Sequence, residues 1–389
     1  MTLKEELEVL RGEPIEVFDG DPMDIPCIET SDPEKLCKHP VVSVHMITYN
    51  HEPYIRQAIE GVMMQKTDFE FELVIGEDAS TDKTREICFE YQKRYPEKIR
   101  VLWWHENVSK LGGNGRRNRA HCRGEFIAMC EGDDYWIDST KLQKQVDAMR
   151  EYPGVGAVFT NAKELNQDSG RILDWGGASC YRSGLIKGID FFSIYSFGAS
   201  APKGLGPECF IATASGLFRR KFLEALNEKY DLFSWKLLLG DKQIWLGCSL
   251  LGDLYYLSDK MVVYRQHRGG AMSKHGHKIY RDSAIVKIYF TVLGPYNFRV
   301  PFNIFAAACQ AGVVEVSSTR KIGILSHWRL VATLLRLMRK WDVSVYSVPI
   351  VRRIKWLIWM TTGWRRIFGI SRQSFKFFPN RPRRTRHVA

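Results

Sequence analysis

The sequence lacks the patterns that mark several classes of protein. Its 9 cysteines include no C-x-x-C pair, and this odd, scattered set favours a reducing compartment over a disulfide framework. Residues 1–20 carry acidic side chains and no long apolar run, so they do not have the pattern of a secretory signal. No uninterrupted run of about 18 apolar residues, which a membrane-spanning helix needs, is found in the chain. These absences together predict a cytoplasmic protein.

Low-complexity tracts and internal repeats are also missing from the 389 residues. A composition of 45% hydrophobic and 26% charged residues is ordinary for a globular protein and excludes a disordered or collagen-like chain. The length predicts roughly two to three domains.

Charge is distributed unevenly along the chain. Residues 1–40 contain 4 basic and 11 acidic side chains, whereas residues 301–389 contain 17 basic and only 2 acidic ones. The net charge of +12 therefore belongs to the C-terminal segment. We divide the chain into an acidic N-terminal arm (1–40), in which Pro14, Pro22, Pro26 and Pro33 favour an extended course, a central domain (41–275) and a helical basic extension (276–389).

The central domain begins with alternating strand and helix patterns. Near-continuous apolar strands separated by helices predict an α/β fold, with a mostly parallel sheet covered by helices on both faces. The carboxyl ends of parallel strands meet at one edge, where ligands bind in open α/β sheets. The predicted strands are VVSVHMIT (41–48), FELVIGED (71–78), IRVLWW (99–104) and GEFIAMCEGDD (124–134), and the predicted helices span about 53–65, 82–95 and 139–151.

Two adjacent carboxylates, Asp133 and Asp134, follow the fourth predicted strand. Neighbouring negative charges repel each other, and a cation beside them removes that repulsion. Oxygen ligands suit Mg²⁺ or Mn²⁺, which also bind a diphosphate. The alternative is that the pair caps the helix predicted from Ser139.

Polar residues also follow the second and third predicted strands. Asp78 could accept hydrogen bonds from a ribose hydroxyl or a base N–H, while Asp82 has the position of a helix N-cap. The glycine-rich segment 112–115 would let backbone amides approach a phosphate, although it is not a G-x-G-x-x-G motif.

Three segments, VSVHMITYNHEPYIRQAI, ELVIGEDASTDKT and GEFIAMCEGDDYW, resemble the family 2 glycosyltransferases of bacterial polysaccharide gene clusters. The resemblance covers roughly residues 41–270. It implies a GT-A fold, a nucleoside-diphosphate-sugar donor, a divalent metal and inversion at the anomeric carbon. Residues 41–150 would form the nucleotide-binding half of the domain and residues 151–275 the acceptor half.

The same resemblance assigns the donor side of the site. Asp78 would hold the base or the ribose, and Asp133 and Asp134 stand at the family's D-x-D position. Asp133 would face the ribose and Asp134 the metal, although the chemistry of the two residues does not divide these roles. The nucleotide pocket would further be lined by Thr48, Tyr49, Asn50 and Glu52.

A later segment, YRQHRGG (264–270), resembles a motif in which a histidine completes the metal site or contacts the diphosphate. His267 would take that role, since imidazole suits Mn²⁺. Arg265 and Arg268 would neutralise the leaving diphosphate.

An inverting transfer also needs a general base for the acceptor hydroxyl. Asp241, in GDKQIW at the start of a predicted helix, resembles the family's base, and a capping role is the alternative. Asp231 and Asp253 are competing acids in predicted turns. Glu208 lies in the stretch that contacts the acceptor in this family, where it could orient a sugar hydroxyl or have a structural role.

Two segments of the basic extension, 328–341 and 351–360, combine arginine and tryptophan with an apolar stripe. Arg352, Arg353 and Lys355 make a buried span costly. The pattern instead predicts amphipathic helices in the lipid headgroup plane, and packing on the central domain is the alternative. We therefore expect a peripheral protein on the cytoplasmic face of the inner membrane, with a glycan or lipid-linked acceptor.

The sequence as a whole predicts a metal-dependent, inverting glycosyltransferase of hexosyltransferase type in surface polysaccharide synthesis, using Mn²⁺ or Mg²⁺. One alternative is a nucleotidyltransferase, which usually has a glycine-rich turn with a basic residue after the first strand; residues 48–51 offer neither. The other is a non-catalytic sugar-binding protein, against which the intact Asp133, Asp134 and Asp241 count. No nucleic-acid-binding module is visible, and oligomerisation stays open.

Overall fold

A computed structural model describes residues 2–11, 14–17, 26–108, 113–175, 183–197, 211–230, 234–237 and 240–293. The expectations for Asp231, Glu208 and the basic extension beyond residue 293 lie outside these residues. All structural statements below concern the described part of the chain.

Helices and strands alternate strictly between residues 42 and 129, and less regularly in the rest of the described chain. The helices are α1 (Leu3–Arg11), α2 (Ile55–Met63), α3 (Thr84–Arg94), α4 (Gly113–Ala120), α5 (Lys141–Glu151), α6 (Gly188–Phe197), α7 (Arg220–Lys229), α8 (Gly240–Leu251) and α9 (Ala271–Leu293). The strands are β1 (Ile28–Thr30), β2 (Val42–Thr48), β3 (Phe71–Glu77), β4 (Ile99–Trp103), β5 (Phe126–Met129), β6 (Tyr135–Trp136), β7 (Val155–Asn166), β8 (Arg171–Asp174), β9 (Gly184–Ile186), β10 (Leu217–Arg219) and β11 (Asp253–Gln266).

The described strands form one sheet in the order β1-β4-β3-β2-β5-β10-β7-β11-β6, with β8 beside β7 and β9 beside β11. The four strands β4, β3, β2 and β5 are parallel, which confirms the predicted parallel sheet. Strand β10 is antiparallel to both of its neighbours, and β7 and β11 form a second parallel pair. The fold class is therefore mixed α/β with a mostly parallel centre.

Alternate residues of the central strands enter two different hydrophobic cores, because successive side chains of a strand point to opposite faces. Leu73 and Ile75 of β3 pack in one core with residues of α2, α3 and α5. Val74, between them, packs in the other core with residues of α6 and α8. Helices thus cover both faces of the sheet, as predicted.

The N-terminal arm lies against the central domain and is helical at its start. A capping box begins α1, since the backbone N–H of Glu5 donates to Thr2 Oγ1 and that of Thr2 donates to Glu5 Oε2. The helix ends before Pro14, so the prolines do not prevent it. Leu7 is fully buried, and α1 packs on α9.

Further along the arm, β1 adds an antiparallel edge strand to β4. Both carboxylate oxygens of Glu29 accept hydrogen bonds from the Arg100 guanidinium at 2.9 Å. This paired geometry fastens the arm to the sheet.

Helix α9 is kinked at His275 and packs on α8 as well as on α1. Val286 and Phe290 of α9 are fully buried in the second core. None of the described helices combines the length with the apolar character that crossing a membrane requires.

Candidate active site

The loops that follow β2, β3 and β5 meet at one edge of the sheet. The Asp78 backbone N–H donates to the Thr48 carbonyl at 3.1 Å, and the Gly132 N–H donates to the Ile47 carbonyl at 2.9 Å. These bonds place the polar residues that follow the three strands beside one another, as their position at the carboxyl edge predicts.

The short strand β6 brings Asp133 and Asp134 to the end of β11. Tyr135 pairs antiparallel with Val263, so the residues preceding Tyr135 face those following Val263. The Arg265 backbone N–H therefore donates to Asp134 Oδ1 at 2.8 Å, and His267 Nε2 lies 3.0 Å from Asp133 Oδ2.

The alternative in which the two aspartates cap α5 is wrong. Helix α5 begins at Lys141, and the carboxylate that serves its start is that of Asp138, whose Oδ1 accepts the Thr140 backbone N–H at 2.7 Å. Asp133 and Asp134 lie before this turn and contact β11 instead.

Three side chains converge with the geometry of a cation site. His51, Asp133 and His267 each offer one ligand atom, and these atoms lie within 4.8 Å of one another. His51 Nε2 is 3.7 Å from Asp133 Oδ2. The other ring nitrogen of His51 lies 3.2 Å from Thr48 Oγ1, a contact that orients the ring as outer-shell partners orient metal-binding histidines.

Gly132 is packed directly against this Thr48–His51 pair. A Cβ atom added at Gly132 would lie 2.6 Å from Thr48 Oγ1 and 3.0 Å from His51 Nδ1. Only glycine fits here without displacing the ring of His51.

Among the acids Glu131, Asp133 and Asp134, the surroundings favour negative charge only on Asp133. Burial, together with the charges of Asp133 and Asp241, raises the pKa of Glu131 to about 8. Burial and the neighbouring Asp133 likewise raise the pKa of Asp134 well above its usual value. Burial opposes ionisation of Asp133 too, but the His267 hydrogen bond and the His51 charge outweigh it and hold its pKa below the usual value.

Glu131 has one carboxyl oxygen that is buried and accepts no hydrogen bond within the described residues. Its neighbours are Asp133 and Asp241, whose charges act on it. An unpaired buried oxygen at this position can accept a donor from a ligand that enters the site.

Asp241 lies in the first turn of α8, and its Oδ2 accepts a hydrogen bond from the Thr213 hydroxyl at 3.3 Å. Asp253, a competing candidate, binds Lys187 and the backbone N–H of Gly188 at the start of β11. Asp253 thus lies at the end of β11 opposite to the one that His267 follows, whereas the charge of Asp241 acts on Glu131, two residues before Asp133.

The residues predicted to line the nucleotide pocket fall into two groups. Tyr49 is 41% exposed at the edge of the sheet. Asn50 and Glu52 instead join two loops, since Asn50 Oδ1 accepts the Thr81 N–H at 2.8 Å and Glu52 Oε2 accepts the Lys83 N–H at 3.1 Å.

Two more side chains take part in this framework. Asp78 Oδ1 accepts the Val108 N–H at 2.7 Å. Asp82 accepts the Glu52 and Thr84 N–H groups beside the start of α3, but the N-cap position is that of Lys83, so the predicted cap lies one residue too early.

The two predicted diphosphate-contacting arginines differ in their surroundings. Arg268 is exposed and pairs with Asp168 at 3.0 Å. Arg265 is 6% exposed, and its Nε donates to the Asp133 carbonyl.

Sequence reasoning missed His51 and Glu131 as site residues. His51 lies in the turn after the first predicted strand, where a single histidine gives no signal of a cation ligand. Glu131 has a usable signal, because it precedes Asp133 by two residues at a strand end.

Comparison with solved structures supports the fold. The chain resembles residues 1–349 of Staphylococcus aureus TarS, crystallised in complex with UDP-GlcNAc, with a TM-score of 0.52 and 19% identity over 77% of this chain and 81% of that one. The fold is thus that of the GT-A glycosyltransferases.

Sequence comparison identifies the family. Residues 43–226 match the family model described as glycosyl transferase family 2, so the chain contains a family 2 glycosyltransferase domain, as its three segments predict. The chain is 31% identical over 241 residues to the uncharacterized protein Rv1520 of Mycobacterium tuberculosis, an alignment that covers 62% of each.

A second relative carries a more specific name. Over 131 residues the chain is 36% identical to the putative teichuronic acid biosynthesis glycosyltransferase TuaG of Bacillus subtilis. The alignment covers 33% of this chain and 49% of that relative. The chain therefore spans less than two thirds of the length of these curated relatives.

Proposed function

We propose that this protein transfers a sugar from a nucleoside-diphosphate sugar to a glycan or lipid-linked acceptor, with inversion, in the synthesis of a surface polysaccharide. The family 2 domain supports the reaction class. The name of TuaG supports the polysaccharide context, and the UDP-GlcNAc bound to TarS supports the class of donor. The observation that carries the proposal is the convergence of His51, Asp133 and His267 with Asp241 nearby.

A divalent cation fits the residues of this cluster. Two imidazoles and one carboxylate suit Mn²⁺ better than Mg²⁺, which prefers oxygen ligands. We assign His51, Asp133 and His267 as its ligands. Bound there, the cation would supply positive charge that stabilises the leaving diphosphate.

This assignment differs from the one that the family resemblance suggests. Asp134, the expected metal ligand, is buried and accepts the Arg265 N–H. Asp133, expected to face the ribose, is the carboxylate that lies beside His267. We therefore propose Asp133 as the carboxylate ligand and Asp134 as a structural partner of β11.

The protein's own residues supply the proton transfer. Asp241 takes the proton of the acceptor hydroxyl as that oxygen bonds to the anomeric carbon and the bond from that carbon to the diphosphate breaks. The Thr213 hydroxyl orients the Asp241 carboxylate. The unpaired oxygen of Glu131 accepts a hydrogen bond from a hydroxyl of the nucleoside-diphosphate sugar.

The test is the variant Asp241→Asn, with Asp253→Asn as the matched control. A panel of nucleotide sugars is screened by thermal shift with Mn²⁺, and transfer is measured with the donor that stabilises the wild type. We expect Asp241→Asn to lose transfer but keep the donor-induced shift, because the amide cannot accept the proton. Transfer at the wild-type rate would contradict the assignment. Release of pyrophosphate from a nucleoside triphosphate would favour the nucleotidyltransferase alternative.

We also propose peripheral attachment to the cytoplasmic face of the membrane through the basic segments 328–341 and 351–360. Their arginine, lysine and tryptophan side chains support it. A lipid-linked acceptor would then lie in the same membrane as the enzyme.

A further inference from the structure

Arg265 is tied to three separate elements at the active-site edge. Its Nε donates to the Asp133 carbonyl at 2.7 Å, and its second terminal nitrogen donates to Gln57 Oε1 of α2, also at 2.7 Å. The first terminal nitrogen donates to Gln167, in the turn that follows β7. The guanidinium therefore joins the segment after β5, helix α2 and the β7–β8 turn.

Two aromatic rings pack around the same guanidinium. The Arg265 Cζ atom lies 4.8 Å from the centroid of the Tyr54 ring and 5.1 Å from that of Tyr135. Such contacts stabilise a buried cation. With 6% of its surface exposed, Arg265 is an interior residue.

The main chain of Arg265 completes the link to the acidic pair. Its backbone N–H donates to the Asp134 carboxylate, while its side chain donates to the Asp133 carbonyl. Arg265 is the donor in both bonds, which join the same two segments, so the segments cannot slide past each other without losing both. Because His267 lies two residues beyond Arg265, this junction also fixes the 3.0 Å approach of His267 Nε2 to Asp133 Oδ2.

We propose that Arg265 is a positioning residue that holds Asp133 against His267 and thereby sets the affinity of the cation site, and that it does not contact the donor diphosphate. The proposal rests on the cation site of the proposed function. Arg268, which is exposed, is then the arginine of this motif that can reach a diphosphate.

The two roles are separated by measuring Mn²⁺ binding with no nucleotide present. Free Mn²⁺ is followed by electron paramagnetic resonance during titration of the wild type and of Arg265→Met. A positioning role predicts binding weaker by about 10-fold to 100-fold in the variant, the usual effect of losing an outer-shell partner. A role confined to the diphosphate predicts no change, because no diphosphate is present.

Arg219 provides a matched control. It is 7% exposed, donates to the carbonyls of Val155 and Met149, and lies 5.1 Å from the Phe126 ring. It pairs with the first residue of β5, whereas the acidic pair follows the last. Arg219→Met therefore removes a similar buried guanidinium and should leave Mn²⁺ binding unchanged.

Wild-type Mn²⁺ affinity in folded Arg265→Met would overturn the positioning role alone. Failure of the wild type itself to bind Mn²⁺ would overturn the proposed cation site, so the two failures are distinguishable. If Arg265→Met does not fold, Arg265→Lys and Gln57→Leu serve instead, because each keeps most of the packing and removes part of the hydrogen bonding. Each should weaken Mn²⁺ binding several-fold, and unchanged binding in both would overturn the proposal.

Discussion

Gly132 is packed directly against Thr48 and His51 at the candidate cation site, which makes Gly132→Ala an informative perturbation. The new methyl group would lie 2.6 Å from Thr48 Oγ1 and 2.8 Å from Thr48 Cβ, well inside ordinary van der Waals contact. The loop cannot retreat without weakening the 2.9 Å bond from the Gly132 N–H to the Ile47 carbonyl. Thr48 and, with it, the ring of His51 must therefore move.

We expect Gly132→Ala to lower the free energy of unfolding by about 2 kcal/mol, within the range of overpacking substitutions. We also expect Mn²⁺ to bind about 10-fold more weakly, because the Thr48 contact that orients His51 is lost. Urea denaturation followed by circular dichroism gives the first quantity, and Mn²⁺ titration of the folded variant gives the second.

Gly154→Ala is the control, since a Cβ at Gly154 meets no atom within 4 Å. This variant should match the wild type in both measurements to within about 0.5 kcal/mol. A Gly132→Ala protein with wild-type stability and wild-type Mn²⁺ affinity would refute the packing argument and the role of Thr48 in orienting His51.

Two further predictions concern acid stability and membrane binding. Burial, reinforced by the charge of Arg119, lowers the pKa of His45 from 6.5 to about 3, so the unfolded state takes up a proton first as pH falls below 6.5. Because of His45, the free energy of unfolding should be about 2 kcal/mol lower at pH 5 than at pH 8. In urea denaturation, His45→Gln should lose less stability than the wild type between these two pH values, by about that amount. An equal loss in both proteins would contradict this prediction. Replacing Arg352, Arg353 and Lys355 by glutamine should reduce partitioning onto phosphatidylglycerol vesicles, measured by flotation, about 100-fold, because each charge contributes about 1 kcal/mol. Equal partitioning of the variant and the wild type would contradict the membrane proposal.

The parallel centre of the fold was predictable because its signals are local. Strands β2, β3 and β4 are near-continuous apolar runs, and each begins and ends within a residue or so of the predicted span. Helices α2, α3 and α5 lie within the predicted helical spans. The start of α1 was also readable, since Thr2 and Glu5 have capping-box spacing. The expectation of an extended arm depended on its prolines alone and left out this capping box, which favours a helix at the start of the arm.

The arrangement of the site depended on contacts that no local pattern contains. The pairing of β6 with β11, more than 120 residues apart in the chain, decides that Asp133 meets His267 while Asp134 meets the Arg265 amide. Adjacent residues of an extended segment point in opposite directions, so a shift of one residue in this register would exchange their roles. The sequence could therefore predict an acidic pair at the sheet edge but not which of its members faces the histidines.

The most direct test of the central claim is the anomalous diffraction of manganese in crystals grown with Mn²⁺ and a nucleoside diphosphate such as UDP, GDP or dTDP. We expect one anomalous peak bounded by the side chains of His51, Asp133 and His267. An absence of manganese from that crevice, or a peak at Asp134 with His51 turned away, would contradict the account.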